Sequence, residues 1–139
     1  MKVRIDRVAL LTGALVAFGL AMPVLIAFAV VDLAGNGVDC NSNLNTLFSA
    51  GLLVAIGIGG AAAARRRLSE PLTHGALAGL AASLAIVVLR IITNVAAGYG
   101  FTSRRCGVSL YVAGFTGITF STFAGMVGGW IALRRSQST

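Results

Sequence analysis

Apolar residues fall into four long runs separated by short polar breaks, covering residues 8–31, 47–64, 73–94 and 108–133. A helix rises 1.5 Å per residue, so about 20 residues cross the roughly 30 Å hydrocarbon core of a bilayer. The runs reach or approach that length, and together they contain one charged side chain, Arg90. The second run is the shortest and the fourth is long enough to tilt or to project from the core. The pattern predicts an all-α protein, a four-transmembrane-helix bundle, forming a single integral membrane domain over residues 1–139. Ser69 and Glu70 ahead of Pro71 mark the start of the third helix, because a proline in the first turn lacks only a donor the helix does not use there.

Composition agrees. The chain is 57% hydrophobic and 11% charged, with mean hydropathy +0.90, which excludes an ordinary water-soluble domain. A net charge of +7 raises the question of nucleic acid, and the positions of the basic residues answer it. Lys2, Arg4, Arg7, Arg65, Arg66, Arg67, Arg134 and Arg135 flank the runs on one side, against Arg104 and Arg105 on the other. Because cytoplasmic flanks retain positive charge, this asymmetry predicts both termini and the turn near Arg67 in the cytoplasm, with loops 32–46 and about 98–107 outside. The basic excess is then accounted for by the bilayer, and no nucleic-acid partner is expected. Ten arginines against one lysine, amid many alanines and glycines, point to a GC-rich bacterial source and so to the bacterial inner (plasma) membrane. A cleaved signal peptide ending near Ala27-Phe28-Ala29 is the competing reading of the first run; its apolar stretch is longer than the usual signal core of about 7 to 15 residues.

The same topology places Cys40 in the first outer loop and Cys106 in the second, both facing an oxidising compartment. A bridge between them would close a loop of 66 residues, worth about 4 kcal/mol in the chain-entropy model. The alternative is two unpaired thiols; without a Cys-x-x-Cys pair, thiol oxidoreductase chemistry is not expected. The halves 1–67 and 68–135 also share a plan, with Leu44, Gly51 and Gly59 matching Leu110, Gly117 and Gly125 when counted from each cysteine. A tandem duplication would produce that match, and so would the shared grammar of any two membrane hairpins.

Small residues recur four apart: Gly51-Ala55-Gly59, Gly75-Gly79-Ser83 and Gly117-Ser121-Gly125-Gly129. In lipid, helices gain contact through such stripes, which predicts close packing within the bundle, with a homo-oligomer or another membrane protein on a glycine-lined face as the alternative. Arg90 lies about three quarters of the way across the third span, where its stem can reach outward and pair with Asp32 at the end of the first. A second reading makes Arg90, Asn94, Arg104 and Arg105 an anion-attracting vestibule. His74, four residues after Glu70, reads as an interfacial polar residue. No intramembrane carboxylate offers a proton-coupled transport site, and no hydrolase or metalloprotease motif is present. Neither enzymatic activity, a metal nor a cofactor is expected.

Two resemblances reach particular residues. Gly59-Gly60-Ala61-Ala62-Ala63-Ala64-Arg65, followed by His74-Gly75-Ala76-Leu77-Ala78-Gly79-Leu80, resembles a hairpin of small four-helix bacterial membrane proteins; it implies the topology and no activity. Gly114-Phe115-Thr116-Gly117-Ile118-Thr119-Phe120-Ser121-Thr122-Phe123 is similar to the signature of the small dimeric fluoride channels. That resemblance implies ring edges of Phe120 and Phe123 facing a dehydrated anion, with Thr119, Ser121 and Thr122 as polar lining and Asn94 as a further polar contact. A positive ring edge and a hydroxyl donor are both suited to an anion. In the channels the signature sits on the third span, here on the fourth. The expected role is therefore a non-catalytic structural or accessory membrane component, with a small anion channel of the fluoride type as the alternative.

Overall fold

The computed structural model describes residues 6–34, 43–66, 69–96 and 110–138. They form four helices: α1 Arg7–Ala34, α2 Asn43–Arg66, α3 Pro71–Ala96 and α4 Leu110–Gln137. All four are long and apolar enough to cross a membrane. Each outgrows its apolar run at one or both ends, because polar flanks such as Asn43 and Arg134 continue the backbone hydrogen bonding past the apolar stretch. Residues 108 and 109 of the fourth predicted run lie outside the described residues. Pro71 occupies the first position of α3, as its sequence context predicts. α1 continues through Pro23, whose ring removes one backbone donor and crowds the carbonyl four residues back, that of Gly19.

Asp6 caps α1: its Oδ1 accepts from the backbone N–H groups of Val8 at 3.0 Å and Ala9 at 3.3 Å, satisfying donors that the first turn leaves open. The backbone N–H of Asp6 in turn donates to His74 near the start of α3. Gly129, near the end of α4, lies against Pro71 at that same start. These contacts bring the start of α1, the start of α3 and the end of α4 to one end of the bundle. In cross-section the four helices make a rhombus: α2 and α3 meet across the short diagonal, each touches both α1 and α4, and among the described residues α1 and α4 do not touch.

Side-chain size is inverted relative to a water-soluble core. Of the fully buried hydrophobic residues among those described, all but Ile56 are alanine, whereas Leu11, Leu15, Val54, Phe115, Phe120, Phe123 and other large apolar residues face outward. An apolar surface this extensive is a liability in water and ordinary in lipid.

Glycine makes the interior possible, and its stripes divide by partner. Toward α1, α2 presents Gly51 to Val24 and Gly59 to Gly13 and Ala17. Toward α4, it presents Gly57 and Gly60, which meet Gly128 and Gly125. α4 carries a second face one residue round, where Gly125 and Gly129 lie against Gly75, Gly79 and Pro71 of α3. The small-residue stripes read from the sequence are thus taken up largely within the chain. A Cβ at Gly117, at the other end of its stripe, would meet nothing within 4 Å among the described residues.

A methyl group at Gly125 would lie 3.1 Å from both the Gly75 carbonyl carbon and the Gly79 Cα, besides crowding the Gly75 oxygen, so backbones rather than flexible side chains would have to move. Gly125→Ala is expected to cost about 1 to 3 kcal/mol, the range for overpacking. Gly117→Ala gains the same helix propensity with no collision and is expected to leave stability unchanged or raise it by up to about 1 kcal/mol. Thermal unfolding in detergent compares the two, and equal stability would mean that α3 and α4 do not meet backbone to backbone.

Candidate functional site

Two places concentrate unusual side-chain environments: the end of the bundle where α1 and α3 begin, and the groove between α2 and α4.

At the first, His74 is 1% exposed and bridges two helices, where the sequence suggested an interfacial residue. Its Nδ1 lies 2.9 Å from the carbonyl oxygen of Glu70, and its Nε2 lies 3.2 Å from the backbone nitrogen of Asp6. With the proton on Nδ1, the ring donates to Glu70 and accepts from Asp6, so both nitrogens are engaged. The Glu70 carbonyl also accepts from the His74 backbone N–H at 3.2 Å, the first turn of α3. The carboxylate oxygen Oε2 of Glu70 is buried without a hydrogen-bond partner among the described residues. This clasp fastens the start of α1 to the start of α3, two helices that are not consecutive in the chain. The i, i+4 spacing of Glu70 and His74 was visible in the sequence; the 68-residue separation of Asp6 and His74 was not.

The second place is a groove of about 690 Å³. Its floor is Gly57, Ala61 and Ala62 on α2 with Ala124, Gly128 and Ala132 on α4. Because Gly128 lets its backbone touch that of Gly57, the larger neighbours, among them Val54, Ile58, Phe120, Phe123, Val127 and Ile131, stand up on either side as walls. Arg65 and Arg135 close one end. On a different face of α4 the Arg134 guanidinium lies over the Trp130 ring, 4.3 Å from its centroid, a cation–π contact.

The residues singled out from the sequence are distributed as follows. Phe120 and Phe123 are 65% and 66% exposed, on the outward-facing wall of this groove between α2 and α4. Thr119 is exposed, and its hydroxyl donates to the Phe115 carbonyl; the Thr122 hydroxyl donates to the Ile118 carbonyl. Both hydroxyls therefore spend their proton on their own helix. Ser121 is buried on the α3 side, where its backbone oxygen lies against Gly79. Of the five residues of the channel-like signature, Ser121 is thus turned to the buried side of α4, whereas Thr119, Phe120 and Phe123 share its exposed side. Arg90 is exposed on α3 and engaged in an interaction of its own. The side chains of Asp32 and Asn94, and the whole of Cys40, Cys106, Arg104 and Arg105, lie outside the described residues. Among the described residues no three His, Cys, Asp or Glu side chains come together.

No protein-family model matches the chain, and neither a curated protein nor a solved structure matches it.

Removing the imidazole in His74→Ala leaves the Asp6 N–H without its acceptor and is expected to cost about 1 to 3 kcal/mol. Asp6→Ala removes the cap, worth about 1 kcal/mol. Since both act on the same helix start, the double variant is expected to lose less than the sum. Strict additivity in a detergent unfolding series would show that the clasp and the cap are energetically separate.

Proposed function

We propose that this protein is a multi-pass component of a bacterial plasma membrane, with no catalysis of its own, acting as a structural or accessory subunit. The observation that carries this reading is the division of the bundle into a glycine- and alanine-packed interior and an outer surface bearing the large side chains. Backbones in contact leave little room between the helices, so specificity for lipid or for another membrane protein has to reside in the outward-facing Leu, Val and Phe residues and in the arginines at the helix ends. Charge asymmetry supports a cytoplasmic location for the end that carries Arg7, Arg65, Arg66, Arg134 and Arg135. The opposite loops then carry Cys40 and Cys106 in an oxidising compartment, as a disulfide.

The alternative is a small anion channel of the fluoride type. The outward exposure of both Phe120 and Phe123 favours one version of it, in which a second copy closes the path between two subunits.

Liposomes carrying the purified protein are expected to release fluoride and chloride no faster than empty ones. Fluoride-selective efflux that disappears in Phe120→Ile and Phe123→Ile would establish the channel instead. In intact cells a membrane-impermeant maleimide is expected to label Cys40 and Cys106 only after reduction, while a cysteine introduced by Ser136→Cys labels only in inside-out vesicles. Labelling before reduction would remove the disulfide, and labelling of the Ser136→Cys variant in intact cells would reverse the orientation.

A further inference from the structure

We propose that the groove between α2 and α4 binds one anionic phospholipid, its acyl chain lying along the glycine and alanine floor and its phosphate held by Arg65 and Arg135. The proposal rests on the four helices spanning a bilayer and goes beyond the role suggested above by naming a ligand and its site.

Length is the first argument. Phe120 and Arg135 both line the groove and are fifteen residues apart on one helix, roughly 22 Å at 1.5 Å per residue. Half of a bilayer, headgroups included, is about 20 to 22 Å. The groove therefore runs the depth of one leaflet, from near the midplane to the headgroup layer. Trp130 and Arg134 mark the same level independently, since an indole beside a guanidinium is a pairing suited to the membrane–water boundary.

Polarity is the second. The floor and walls are apolar along their whole course, and both charged residues of the lining are arginines at one end. An occupant that matches this has an apolar tail and an anionic head. Guanidinium groups take phosphate oxygens through paired N–H donors, and two of them from separate helices can grip one phosphodiester. A second copy of the chain matches poorly. A two-fold axis along the membrane normal that brought two grooves together would set Arg65 and Arg135 against their own equivalents, at a boundary where like charges are weakly screened.

Native mass spectrometry of the full chain in detergent, with phosphatidylglycerol and phosphatidylcholine of identical acyl chains, tests the site. The wild type is expected to retain phosphatidylglycerol roughly 25-fold better, about fivefold for each arginine. Arg65→Gln with Arg135→Gln should bring the two lipids close to parity. Arg66→Gln with Arg134→Gln removes the same charge from the same end but outside the groove lining, and should keep the preference. Ala62→Phe fills the floor and should lower retention of both lipids. Inorganic phosphate should not displace the bound lipid.

Several results would overturn the proposal: no preference in the wild type, equal loss in both arginine pairs, unchanged retention in Ala62→Phe, or displacement by inorganic phosphate, which would indicate a free-anion site. A lipid-free dimer would mean that a second copy covers the groove, and a copurifying protein that excludes lipid would assign the face to a partner. None of these outcomes affects the proposed orientation of the bundle, which the labelling experiment tests separately.

Discussion

Helices surrounded by lipid gain nothing from burying one apolar surface against another, because the hydrocarbon they displace is as apolar as leucine. What remains is dispersion between closely fitted atoms, and that rises steeply as the backbones approach. The arrangement of this chain follows from that constraint. Gly57 on Gly128, Gly60 on Gly125, Gly75 and Gly79 on Gly125, and Gly13 on Gly59 are approaches that a single Cβ would prevent. Around those points the interior is alanine, with Ile56 filling the centre against Ala17 and Ala82.

The same economy explains where chemistry is found. A tightly closed interior has room for few polar side chains, and those it holds are tied to helix structure: the Ser83 hydroxyl donates to the Leu80 carbonyl, and His74 joins the first turn of α3 to the capped start of α1. Backbone donors and acceptors at helix ends are costly to leave open inside a membrane protein, so a buried imidazole serving both is structurally economical. Nearer the other end, the α1–α2 contact uses aromatic edges, with Phe28 and Phe48 in a T-shaped pair 5.2 Å apart. Among the described residues, the α2–α4 groove is an outer feature that combines shape with charge at one end.

Glycine contacts also decide the fate of the short channel-like segment on α4. Ser121 belongs to the stripe that packs on α3, so the helix is rotationally fixed with Ser121 inward and Phe120 and Phe123 outward. Residues adjacent in sequence on a helix are about 100° apart, so Ser121 faces away from Phe120 and Phe123, which lie three apart on one outward face.

Four spans, the start of α3 at Pro71 and the concentration of arginine at alternate helix ends were legible in the sequence, because span length and flanking charge are local properties read by the bilayer. The small-residue spacing was legible as well, as a statement that some faces approach closely. Which faces meet was not: α4 carries two neighbouring small stripes, one through Gly125 and one through Gly128, and only the packed bundle sets the second against α2 and the first against α3, with Gly125 also meeting Gly60 of α2. His74 likewise looked like a boundary residue until its acceptor nitrogen found the Asp6 N–H, 68 positions earlier. The groove is the clearest case, since its floor, walls and two arginines come from helices separated by all of α3. Hydropathy and charge act on each segment alone, whereas contact depends on how four helices rotate and cross together, and that is fixed by packing across the whole chain.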